Sequence, residues 1–261
     1  MTFILKKTSV LTAMTIFCLL TGAGYVNATL SGSVNPSSIS IGTTFNGQDI
    51  IISGDVSKGA EILIRITGEK KAEKFKKKGK ILGLLWMNLN TIEMENVPSM
   101  MLIAPSDYLE NWLEKHPGQW KSTGLGFEAV KDNITLFPES EDKDMIFEEL
   151  LKLKKKEGLY GIRKKAVIYT NNEEITTYEA RIHLPAGLPP GVYNVEILAI
   201  GGGHVLEKKT LPLPARQVGF PAFLSSLAFE HGLLYGILSV IIAIMAGLII
   251  GFMFRGGQGA H

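Results

Sequence analysis

The chain has 261 residues, 27 basic against 25 acidic, 46% hydrophobic residues and one cysteine. This near-neutral balance argues against a nucleic-acid binder, which carries a basic patch or stripe. A single cysteine excludes an internal disulfide framework and a cysteine metal cluster, and the length allows one or two domains.

Residues 1–28 make the first element. Lys6 and Lys7 precede an apolar core over residues 10–20, and Val26-Asn27-Ala28 sets small residues where a signal peptidase reads. This predicts a secretory signal peptide cleaved after Ala28. An uncleaved N-terminal anchor is the alternative, disfavoured by the shortness of the apolar core. Cys18 follows Phe17, where a lipoprotein signal needs a small residue, so it is not read as a lipidation site. Cleavage removes Cys18, Lys6 and Lys7 and leaves 25 basic residues against 25 acidic, with no thiol nucleophile.

Residues 29–213 predict an exported domain of short strands. Residues 38–41, 49–56, 60–67, 82–95 and 100–104 are β-rich, as are 166–170, 178–184, 192–200 and 205–211. Phe45-Asn46-Gly47-Gln48, Ser57-Lys58-Gly59 and Gly201-Gly202-Gly203 supply turns. The spacing predicts a mainly β, immunoglobulin-like antiparallel sandwich. Leu184-Pro185-Ala186-Gly187-Leu188-Pro189-Pro190-Gly191-Val192-Tyr193 joins two strands and resembles a tyrosine corner, with Tyr193 bonding back to the backbone. An ordinary proline loop with a packed tyrosine is the other reading, and the Cys-Trp-Cys signature is absent.

Residues 106–158 interrupt the strands with a helical insertion. Ser106-Asp107 caps a helix over residues 108–115, residues 127–131 form a helical turn, and Ser140-Glu141-Asp142 opens a helix running to Lys156. Met145, Ile146, Leu150 and Leu153 are expected to line its apolar side, with acids first and lysines last, as the helix dipole favours. The insertion either caps one end of the sandwich against a partner or packs simply for stability.

Lys74, Lys76, Lys77, Lys78 and Lys80 belong to a lysine-rich run between two strands, read as a protruding hairpin tip. It can meet anionic headgroups or an acidic partner, or stand as a solvated loop. The histidines His116, His183, His204, His231 and His261 show no metal-ligand spacing. No nucleophile elbow, phosphate loop, dinucleotide fingerprint or paired catalytic carboxylates are found, so no catalytic, cofactor or metal residue is assigned and the chain is not read as an enzyme. Asn133-Ile134-Thr135 fits the glycosylation acceptor pattern.

Residues 214–232 read as a juxtamembrane linker with a short interfacial helix carrying Phe223, Leu224, Leu227 and Phe229. Residues 233–254 are uncharged and proline-free, and as a helix they extend about 33 Å, enough to cross a hydrocarbon core. Arg255 follows, and residues 255–261 are expected on the cytoplasmic side. Ser239, Ala243, Gly247 and Gly251 recur every four residues, a helix-packing stripe that suits self-association or a membrane-protein partner in the bilayer.

Val218-Gly219-Phe220-Pro221-Ala222-Phe223, Phe229-Glu230-His231-Gly232-Leu233-Leu234-Tyr235-Gly236 and Phe254-Arg255 resemble a family of transmembrane proteins first described from alphaproteobacteria. Phe45-Asn46-Gly47 and Ile50-Ile51-Ile52-Ser53-Gly54 resemble it too. The resemblance covers nearly the whole mature chain and carries no catalytic residues. It implies a non-enzymatic accessory to a transporter, of the sulfite/taurine-exporter permease type. The expected protein is therefore a single-pass inner-membrane protein with its bulk in the periplasm, without cofactor. An envelope protein-binding module unconnected to a transporter is the alternative.

Overall fold

The computed structural model describes residues 30–81, 85–116, 118, 124–139, 142–171 and 175–255. The expected signal peptide and the tail beyond Arg255 lie outside the described residues. Strands β1 (Ser33–Asn35), β3 (Gln48–Ser57), β10 (Val167–Asn171) and β11 (Ile175–Leu184) form an antiparallel sheet in the order β1-β3-β11-β10. Strands β2 (Ile39–Ile41), β4 (Glu61–Thr67), β7 (Met101–Pro105), β9 (Tyr160–Ile162), β12 (Gly191–Gly201) and β13 (His204–Gln217) form a second, ordered β2-β13-β12-β4-β7-β9. The expected antiparallel arrangement holds for its centre, but both edge pairings, β13 with β2 and β7 with β9, are parallel.

The two sheets share one apolar core. Ile50 and Ile52 of β3, Tyr178 and Ile182 of β11, and Val195 and Ile197 of β12 are all essentially inaccessible. Each such isoleucine contributes roughly 2 kcal/mol relative to exposure. Polar bonds cross between the layers: the Ile62 N–H donates to the Tyr169 hydroxyl at 2.8 Å, which donates to Glu61 Oε2 at 3.1 Å. Ser57-Lys58-Gly59 does not close a hairpin, because β3 and β4 belong to opposite sheets. The turn instead carries the chain across the core, with Gly59 at φ +87°.

The helices of the insertion divide between the second sheet and the strands over residues 70–81 and 85–98. Helix α1 (Asp107–Lys115) packs on β4 and β7, burying Leu109 and Leu113. All five residues of β7 are buried, as a strand covered on both faces requires. Ser106 caps α1 through its Oγ, and Asp142 caps α3 (Lys143–Lys156) by accepting from the Asp144 and Met145 N–H groups. Between them lies α2 (Glu128–Asn133).

The lysine-rich run is itself a strand. β5 (Lys70–Ile81) pairs with β6 (Leu85–Pro98), which also holds β8 (Thr135–Phe137). The β4–β7 ladder ends at Thr67 and Met101; the Gly68 N–H then donates to Met100 O and the Ser99 N–H to Glu69 O, both at 2.9 Å. Lys70 pairs with Pro98 directly after, so β4–β5 and β6–β7 form one continuous ribbon. Backbone pairing and the inward Glu73 and Phe75 outweigh the weak strand preference of lysine.

β13 also runs further than expected, to Gln217, so residues 214–217 are strand and not linker. Pro212 and Pro214 fall where β13 pairs only with β12, since β2 joins it at Ala215–Gln217. An edge tolerates a residue that cannot donate. Then come α4 (Phe220–Phe229) and α5 (Gly232–Arg255).

Candidate functional site

Helix α5 is the one helix among the described residues long and apolar enough to cross a membrane. Its 24 residues reach about 36 Å. Residues 232–254 are all exposed, with none buried against the other described residues. The predicted stripe of Ser239, Ala243, Gly247 and Gly251 thus faces outward over its whole length. A Cβ added at Gly247 or Gly251 would meet nothing within 4 Å. The Ser239 hydroxyl donates to Tyr235 O at 2.8 Å, so it enters lipid already satisfied. Gly232 and Gly236, not singled out from the sequence, lie within about 60° of Ser239 and extend the face to the membrane boundary. Their own four-residue spacing was the signal.

A second assembly stands where α3 packs on the β5–β6 ribbon. Of the expected apolar side of α3, Leu150 is buried and Ile146 packs against the core, but Met145 is 50% and Leu153 39% exposed, and Phe147, Leu151 and Lys154 complete the buried side instead. Lys154 is itself 6% exposed, and its Nζ donates to Glu73 Oε1 at 2.5 Å. This buried charge escaped the sequence reading, although Phe147, Leu150, Leu151 and Lys154 follow the i, i+3, i+4, i+7 spacing of one helical face. Toward the N-terminal half of α3 a groove of about 640 Å³ opens, lined by Phe75, Ile92, Met94, Met145, Ile146 and Leu153 with lysines of β5 at its rim.

The candidate lysines divide along β5. Lys74 pairs with Glu93 at 3.2 Å, Lys77 is half-buried beside the groove, and Lys76, Lys78 and Lys80 are exposed. A separate polar pocket of about 540 Å³ near the start of the ribbon is lined by Arg65, Glu69, Asn96, Asn194 and Glu196 among others. Burial alone would raise the Glu196 carboxyl. Hydrogen bonds from Arg65, at 2.6 Å, and from Lys208 outweigh it and hold the group below its ordinary value.

Tyr193 is buried at the start of β12, and its hydroxyl donates to Pro189 O at 2.5 Å. Burial pushes that hydroxyl up to about 12, so it stays a donor at any working pH. Tyr193→Phe is expected to cost about 1–2 kcal/mol by orphaning the Pro189 carbonyl, read as a lower urea midpoint of the detergent-solubilised chain. An unchanged midpoint would show that the bond contributes nothing. His183 Nδ1 lies 2.6 Å from Asp49 Oδ1 on the exposed surface, and His116 stacks on Trp112. Asn133 is exposed, with its amide donating to Ala129 O. No group of three or more metal-ligating side chains occurs among the described residues.

A β-rich body joined to one bare apolar helix defines a membrane protein. The chain belongs to the family described as "Putative transmembrane protein (Alph_Pro_TM)", which matches residues 29–256. No curated protein and no solved structure gives a significant match.

Proposed function

We propose that this protein is a non-enzymatic accessory subunit of a polytopic membrane transporter, held in the inner membrane by α5. The observation that carries this reading is the small-residue face of α5, which no other described residue covers. In lipid the hydrophobic effect does not drive helices together, and close backbone approach through small residues is a main source of association. The resemblance in the juxtamembrane sequence implies a permease of the sulfite/taurine-exporter type as the partner. The signal-like N-terminus and Arg255 after the span support a periplasmic body and a cytoplasmic tail. An immunoglobulin-like sandwich is supported by strand order: β1-β3-β11-β10 corresponds to A-B-E-D and β13-β12-β4 to G-F-C, with Tyr193 at the E–F corner.

Purification of the full-length chain in mild detergent tests the reading. A polytopic permease is expected to co-purify, and Gly247→Ile with Gly251→Ile is expected to abolish its recovery while the sandwich stays folded by circular dichroism. Recovery of a non-membrane envelope protein instead, undiminished by the two substitutions, would replace the transporter reading with that of a protein-binding module.

A further inference from the structure

The far end of the β5–β6 ribbon is amphipathic. Lys78 and Lys80 pair with Asn88 and Trp86, while Gly79 pairs with Met87 and Ile81 with Leu85. Strand alternation puts Lys78 and Lys80 on one face and Leu85 and Met87 on the other. Leu85 is 66% and Met87 50% exposed, so this apolar face is not covered by the body of the protein. Residues 76–92 contain four lysines and no acidic residue, which gives this end a concentrated positive charge.

The ribbon also starts at the right place. β4 runs from Glu61, opposite Ile200, to Thr67, opposite Asn194, before continuing into β5. β13 runs in the same direction along β12 and reaches Ala215 opposite Gly191, shortly before α4 and α5. Glu69 ties the two exits together by accepting the Val192 N–H at 3.0 Å. Ribbon and anchor therefore leave the sandwich at one end. The 12 residues of β5 extend about 40 Å, against about 15 Å for α4, so the ribbon has the reach to meet the bilayer beside its own anchor.

We propose that the distal β5–β6 ribbon is a second membrane contact that recognises anionic phospholipid. Leu85 and Met87 enter the boundary between headgroups and acyl chains, and Lys76, Lys78 and Lys80 reach lipid phosphates with their stems along the apolar surface. Each lysine near an anionic surface strengthens the contact about fivefold. Two attachments, α5 and the ribbon, then fix the orientation of the sandwich over the bilayer, which a single helix and a short linker do not. The proposal uses only the membrane anchoring of this chain and is independent of any permease partner.

The test uses the purified full-length chain in nanodiscs, with Met87→Cys on a Cys18→Ser background carrying a polarity-sensitive fluorophore. Ile168→Cys, on β10 and 66% exposed, serves as the control. In discs containing phosphatidylglycerol the label at position 87 is expected to shift to the blue and to be quenched by spin-labelled lipid. The label at position 168 is expected to stay water-like. Lys76→Gln with Lys78→Gln should lower the bound-to-free ratio of the ribbon about 30-fold and return the emission at position 87 toward that of water. Water-like emission at position 87 in the anionic discs would overturn the proposal. So would a blue shift without lipid quenching, which would assign the face to a protein contact.

Discussion

Lys154→Met is expected to destabilise the protein by about 3 kcal/mol and to loosen α3 from the β5–β6 ribbon. Lys154 is 6% exposed, and its ammonium ends on Glu73 of β5. Removing one member of a buried pair costs about 3–5 kcal/mol, because the other charge stays behind without its partner. The Glu73 side chain keeps 26% exposure, and the water that reaches it holds the cost near the lower end. Glu73 also stands near Tyr160, whose hydroxyl is raised first by burial and then by that carboxylate, and which donates to Pro98 O at 2.7 Å. The Lys154→Met/Glu73→Leu double substitution removes both charges and is expected to recover to within about 1 kcal/mol of the parent. Urea unfolding of the four proteins of this cycle measures the coupling directly. Simple additivity of the two single effects would mean that the pair is solvated and does not latch α3.

That latch shows why the site was only half legible in the sequence. The strands β3, β4, β11 and β12 were readable within about three residues, because alternating or β-branched runs between turn residues leave few other choices. The caps at Ser106 and Asp142 were readable for the same local reason. The lysine-rich run was not, because its density of charge suggested a solvated tip, whereas only Glu73, Phe75 and Lys77 need face inward for the ladder to form. The apolar side of α3 was legible in part, at Ile146 and Leu150; the rest was not, because its buried side ends in a lysine, and a buried lysine is recognisable only with Glu73 in place, 81 positions away. The seating of α1 on β4 and β7 likewise depends on long-range packing. The stripe on α5 needed no tertiary information, since a four-residue period on a helix is local.

Gly54→Ala is expected to cost about 3 kcal/mol and to lower the melting temperature by about 9 °C, although it adds one methyl group. Gly54 lies in β3 opposite Tyr178, and the segment leading into β1 passes directly over it. A Cβ there would sit 2.2 Å from Ser31 O and 2.8 Å from Gly32 Cα, both backbone atoms that no rotamer change can move away. The crossing is tied down on both sides. Ser31 N–H donates to Asp55 O at 2.9 Å, Asp55 N–H returns a bond to Ser31 Oγ at 2.7 Å, and the Tyr178 hydroxyl donates to Ser31 O at 2.7 Å. Relieving the clash lifts Ser31, which strains all three bonds and uncovers Tyr178 in the core. Gly187→Ala is the matched control: a Cβ there meets nothing within 4 Å, and its φ lies outside the left-handed region, so the change should stay within about 0.5 kcal/mol. Thermal unfolding of the two variants separates the effects. Equal melting temperatures would mean that the segment before β1 is not seated on Gly54. The expected difference gives a steric reason for Ile50-Ile51-Ile52-Ser53-Gly54 to end in a glycine: only the residue without a side chain lets the start of the sandwich close over its own core.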